Sequence, residues 1–173
     1  RDTGCGIPAD HLPKLFTRPA GATAERLEAV GAELGIEAQR DMASVSLRTL
    51  TRQAAMDQAL ETLAAVIARP RFAACEFERV RANVLIGLNR DEQDPGTLGK
   101  KAIYRLIFGD HPYAADPAGT PDSVAALSRD DLARFHARHY VARNAVIALV
   151  GALTRVEAEA IAEYLTSGLA KGE

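Results

Sequence analysis

The residue pattern predicts an α+β domain, an antiparallel sheet with helices packed on one face. Two stretches of strand character, 36–40 and 43–50, meet at Arg40 and Asp41, where a tight turn makes them a hairpin. Most of the remaining chain then repeats at helical spacing, with one further strand-like run, 144–151. Strands grouped first and helices grouped afterwards are the order of α+β folds, not of a doubly wound parallel sheet. The composition fits a globular domain: 173 residues, 47% hydrophobic, 25% charged, formal net charge −2.

Taken in order, Leu27, Val30 and Leu34 share a helical face over 23–34, and Gly35 is placed to close that helix. In 43–50, Val45 and Leu47 alternate with Ser44, Ser46 and Arg48, the period-two pattern of a half-buried strand. The period then changes. Met56, Ala59, Leu60, Leu63, Ala64 and Ile67 lie on one face of an amphipathic helix that Pro70 stops. A long helix over 74–93 carries the stripe Phe77, Val80, Val84, Leu88 and ends at Asp94-Pro95. A third, over 98–108, offers Ile103, Leu106 and Ile107 to the core. Ser128 opens a helix with Asp131 three residues on, a capping box with a short acid, and Leu132, Phe135 and His139 share its face. The Val- and Ile-rich run 144–151 reads as a fully buried strand. Thr154 and Glu157 form a second capping box, opening a final helix through Tyr164 and Leu165. Three strands under six helices make a thin sheet, so the domain is expected to be truncated at its N-terminus.

Charge balance excludes a dedicated nucleic-acid binder: 21 basic residues stand against 23 acidic ones. No apolar run nears the roughly 20 residues of a membrane helix. Two cysteines, Cys5 and Cys75, cannot build a disulfide framework or a cysteine zinc site, and Cys75 is expected buried. Neither H-E-x-x-H nor H-x-x-E-H occurs. His136 and His139, three apart on a helix, lack a nearby third ligand and read as packing residues beside Phe135 and Tyr140. His111 before Pro112 reads as a loop residue that fixes a helix exit. The segment 96–100 lacks the first Gly and the Ser/Thr of a phosphate loop. No G-x-S-x-G elbow is present, and Asp91, Glu92 and Asp94 read as a solvated helix end.

From Ala24 onward the chain resembles the pitrilysin/insulinase peptidase family, which includes the mitochondrial processing peptidase. The resemblance rests on segments in the family's order: 25–34, 41–47, Arg69-Pro70-Arg71-Phe72, 76–79, and 90–95. It continues through Phe108-Gly109-Asp110-His111-Pro112-Tyr113, Gly119-Thr120, Leu127-Ser128, Phe135-His136, Tyr140, Asn144 and Val150-Gly151. His111, Tyr113, Gly119, Thr120 and Asn144 are the structural-motif positions it implies. In active relatives an inverted H-x-x-E-H helix would lie upstream of Thr23, and a late Glu of the long helix is the third zinc ligand. That position here is Gly87, and a second acidic position seven residues earlier is Val80. Neither side chain can bind a metal, so the resemblance implies a non-catalytic half or subunit with no catalytic residue, no metal ligand and no cofactor of its own. Zinc belongs to the family's active members.

A second, local resemblance covers Asp2, Thr3, Gly4, Cys5, Gly6, Ile7 and Pro8 with 11–18. These are similar to the nucleotide-binding box of sensor histidine kinases, where Asp2 would read the adenine amine and Gly4 and Gly6 would let backbone approach ATP. The pattern breaks at Pro19, and neither the Asn-bearing helix nor the second glycine box is present. The chain is therefore expected to divide into 1–22, of separate origin, and 23–173, a partial peptidase-type domain.

The function these resemblances imply is pairing with an active zinc peptidase module and helping to enclose a peptide substrate. An unpaired sheet edge would make the isolated chain self-associate. Alternatives are a fragment of an active zinc metalloendopeptidase without its metal helix and an ATP-binding kinase fragment. No signal peptide is visible. By family resemblance the setting is the bacterial periplasm.

Overall fold

The structure, a computed structural model, describes residues 22–172. Its helices are α1 (Ala22–Glu28), α2 (Gln53–Ala68), α3 (Ala74–Asp91), α4 (Pro95–Phe108), α5 (Pro121–Ala126), α6 (Arg129–His139) and α7 (Arg155–Thr166). The strands are β1 (Glu33–Ala38) and β2 (Ala43–Arg48), paired antiparallel. The α+β expectation holds, with a two-stranded sheet among the described residues.

Register explains which way the hairpin faces. Leu34 opposes Leu47 and Ile36 opposes Val45, while Glu33, Glu37, Ser44, Ser46 and Arg48 occupy the alternate positions and are exposed. The apolar face packs with Leu27 of α1, Ala59 and Leu63 of α2, and Leu165 of α7. Helices therefore cover one face only, as a period-two strand with one polar face requires. Gly35 opposes Ser46, whose hydroxyl would lie 2.5 Å from a Cβ at that site, so a side chain there would require the Ser46 hydroxyl to move.

Gly35 does not close the first helix. The Ala32 N–H donates to Leu27 O at 2.8 Å and the Gly31 N–H to Glu28 O at 3.0 Å, with Gly31 at φ 69°. This is the six-to-one and five-to-two pattern of a Schellman cap. The helix expected over 23–34 thus ends six residues early, and Leu34 enters β1 instead.

A second core joins Ala38, Phe72, Phe77 and Leu132, with Val80 and Leu127 against it. Phe72 links α2 to α3 at φ 44°, which costs a non-glycine residue about 1 kcal/mol. Burial of its ring, worth about 1.5–3 kcal/mol, outweighs that cost. A third core joins Val84 and Leu88 of α3 to Val124 of α5. The expected stripe Phe77, Val80, Val84, Leu88 is therefore the face α3 buries. Cys75 lies off that stripe and is exposed, contrary to expectation.

α4 begins at Pro95, not at 98. The Asp94 carboxylate accepts from the Thr97 N–H at 2.8 Å, and Pro95 takes the first helical position, where its missing N–H costs nothing. Asp94 is thus a cap for the next helix and not simply part of a solvated helix end. The capping boxes expected at Ser128/Asp131 and Thr154/Glu157 are both formed. A third, Thr120/Ser123, starts α5, a helix not foreseen from sequence.

Two expected core elements are not core. Ile103, Leu106 and Ile107 are exposed, and α4 buries no residue fully. Residues 145–150 form neither a buried strand nor any ladder. The Ala145 N–H donates to Ala142 O at 3.1 Å, and 146–150 make no backbone hydrogen bond among the described residues.

A candidate interaction surface

The positions that would bear metal-binding acids in active relatives lie on α3. Val80 is spent on packing against the second core. Gly87 faces open space, with no atom within 4 Å of where a Cβ would stand. Neither supplies a ligand atom. The His136 Nε2–H donates to Ile67 O at 2.8 Å, and the ring stacks on Tyr140 at 4.8 Å and meets Phe72 edge-on at 6.0 Å. The His139 ring lies against Phe135 in a tilted contact, 4.4 Å between centroids. Both histidines serve packing, and no group of three His, Cys, Asp or Glu among the described residues is placed to hold a metal. The described residues do not fit a zinc ion.

The motif positions build a turn that holds the hairpin tip. His111 Nδ1 accepts from the Tyr113 N–H at 3.2 Å and so caps the 3-10 turn Pro112–Ala114. The Tyr113 hydroxyl donates to the Asp41 carboxylate, a bond that raises the phenol's pKa above its ordinary value. Arg40 donates to the carbonyls of Tyr113 and Ala115, each at 2.8 Å, and lies 4.4 Å over the Tyr104 ring. The β1–β2 turn is thereby tied to α4 and the loop after it. Gly119 turns at φ 76°, and Thr120 follows as the cap of α5. Asn144 Nδ2 donates to His139 O at 3.3 Å, where the chain leaves α6 for the extended run.

That run is anchored at its base. The Ala142 N–H donates to Ala170 O at 2.8 Å and the Arg143 N–H to Lys171 O at 3.1 Å. Beyond it, every residue through Val150 is exposed. Ile147 and Leu149 are 37% exposed, while Val146 and Val150 are 97% and 98% exposed. Residues 146–150 thus present backbone groups with no hydrogen-bond partner among the described residues together with exposed valines, the two features of an open sheet edge. The exposed α4 face, with Leu106 at 84%, adds a second apolar surface. The fully buried strand expected over 144–151 is absent: Asn144 ends a 3-10 turn, and the residues after it pair with no strand among the described residues. Asp2, Gly4, Gly6, Cys5 and His11 lie outside the described residues.

Comparison with known proteins gives these features a context. A family profile described as the peptidase M16 inactive domain matches residues 126–173, which include α6, the extended run and α7. The crystal structure of a peptidase M16 inactive domain from Pseudomonas fluorescens superposes with a TM-score of 0.86 at 37% identity, covering 92% of this chain and 39% of that one. An uncharacterized zinc protease of Mycobacterium leprae is 29% identical over 99% of this chain and 40% of its own length. Subunit 1 of the bovine mitochondrial cytochrome b-c1 complex is 26% identical over 98% of this chain and 35% of its own length. A Helicobacter pylori protease at 18% identity shares the fold, with a TM-score of 0.78. The chain therefore spans about 40% or less of the curated relatives it matches.

Proposed function

From a peptidase-like chain that carries the fold and sequence of the M16 inactive domain, we propose a non-catalytic role in which it pairs with an active zinc peptidase module and helps enclose a peptide substrate. The observation that carries the proposal is the open segment 146–150: apolar, anchored at its base, and without a backbone hydrogen bond among the described residues. A surface of this kind is completed by another strand. Main-chain bonding to an extended segment gives affinity with little demand on sequence, which suits a chamber handling varied peptides. Val80 and Gly87 support the non-catalytic half of the reading, since neither can ligate zinc and Val80 is committed to the core.

The test is reconstitution. A fluorogenic peptide is offered to this chain alone, to an M16 module bearing H-x-x-E-H from the same genome, and to the two together. The chain alone is inert, and adding it to the module raises the rate and gives a stable complex on gel filtration. Hydrolysis by the chain alone, abolished by a chelator, overturns the proposal. So does a module whose rate and elution are unaffected by the chain.

A further inference from the structure

The segment Val146-Ile147-Ala148-Leu149-Val150 reads nearly the same in both directions: a valine at each end, a larger aliphatic residue inside each valine, and a small residue at the centre. Exposure follows the same symmetry. Val146 and Val150 are 97% and 98% exposed, Ile147 and Leu149 are each 37% exposed, and Ala148 between them is exposed too. None of these residues makes a backbone hydrogen bond among the described residues. No charged residue and no proline occurs from Asn144 to Thr154. Charges and prolines are what sheet edges ordinarily use to repel a second strand, so nothing in this stretch guards the edge.

We propose that this segment pairs antiparallel with the same segment of a second copy, about a two-fold axis at Ala148. A two-fold contact needs a patch complementary to itself, residue i meeting j while j meets i. The segment meets that demand: Val146 opposes Val150 of the second copy, Ile147 opposes Leu149, and Ala148 opposes its own counterpart. A slip of one residue sets Val146 against Gly151 and Ala148 against Leu149, so the matched sizes are lost and the register is specified. Such a short ladder is a small interface of the weak, reversible class. The inference rests on the open segment that carries the pairing role above, and names a second copy as its occupant when the active module is absent.

Disulfide trapping in the full chain tests it, in a C5S/C75S background that removes the native thiols. Opposed residues of an antiparallel pair have Cα atoms about 4.5–5.5 Å apart, inside the roughly 4.4–6.8 Å that a disulfide spans. The two copies of residue 146 would stand about 14 Å apart along the ribbon, too far to bridge. Under mild oxidation A148C should therefore give at least about tenfold more covalent dimer than V146C or V150C alone, and V146C mixed with V150C should cross-link again. All three positions are exposed, so circular dichroism should be unchanged, and urea should abolish the selectivity. A dimer yield from A148C no higher than from V146C overturns the inference, whether both are low or, as in a parallel in-register stack, both are high. So does a V146C/V150C mixture that fails to cross-link. The pairing role fails separately: selective trapping by a chain that leaves the module's rate and elution unchanged upholds the two-fold contact and overturns that role, and a chain that activates the module without selective trapping does the reverse.

Discussion

Replacing Val146 and Val150 by lysine isolates the open edge. Both side chains are almost wholly in water, so they contribute little to the stability of the domain itself. Burying one valine against a partner is worth about 1.5 kcal/mol, and two are worth about 3 kcal/mol. At 1.4 kcal/mol per factor of ten, V146K/V150K should weaken association on the order of a hundredfold. Lysine adds to this by making edge-to-edge pairing costly. Sedimentation equilibrium over a wide concentration range reads the effect. The unsubstituted chain should self-associate, and the double variant should sediment as a monomer with an unchanged circular dichroism spectrum and melting temperature. Val156→Lys is the control, because Val156 is exposed on α7 outside the edge and its substitution should leave association as it was. A monomeric unsubstituted chain at high concentration, or a double variant that associates as strongly as its parent, would refute the reasoning.

Three further outcomes follow from the same structure. Leu132→Ala removes a side chain 2% exposed in the second core and should cost about 3 kcal/mol in urea unfolding, since α6 and α3 cannot close the gap fully. Gly87→Ala fills open space within α3 and should stabilise by about 0.5–1 kcal/mol, read as a higher melting temperature, without conferring zinc binding. The caps set the acid limb of stability. Hydrogen bonds from the Thr97 side chain lower the pKa of Asp94, and bonds from the Ser128 side chain lower that of Asp131, each from an ordinary value of 3.8. Bonds from the Thr154 backbone lower that of Glu157 from 4.5. A carboxylate whose folded pKa is depressed contributes stability above its unfolded value and loses it as pH falls through the folded one. Thermal melts should therefore be level above about pH 5.5 and fall below pH 4.5. Asp131→Asn should be less stable near neutrality and flatter below pH 4, and a parallel shift at every pH would contradict this.

The capping boxes at Ser128 and Thr154 were readable because a cap is a local bond between residues three apart. The hairpin register was readable because polar and apolar residues alternate along 43–48. The end of α1 was misplaced because two glycines, Gly31 and Gly35, were both near the end of the periodic stretch, and only backbone geometry shows which one turns left-handed. Thr120/Ser123 was missed because Ser at the third helical position is a weaker signal than Glu or Gln. Of the candidate positions, Gly87 and Val80 could be judged from side-chain chemistry alone. The Arg40 contacts to Tyr104, Tyr113 and Ala115 could not, because they join the β1–β2 turn to α4 and the loop after it, which only folding brings together.

By itself, the order of residues determined the long helices with the caps at Ser128 and Thr154, the two-faced hairpin and the lack of a metal-ligating side chain at Gly87 and Val80, all properties of short range or of chemical identity. Tertiary structure alone decided which apolar residues are buried. Periodicity marks Leu88 and Leu106 alike as apolar face residues, yet one is 2% and the other 84% exposed. Burial depends on whether a second surface arrives to cover the first, and no local pattern encodes that arrival.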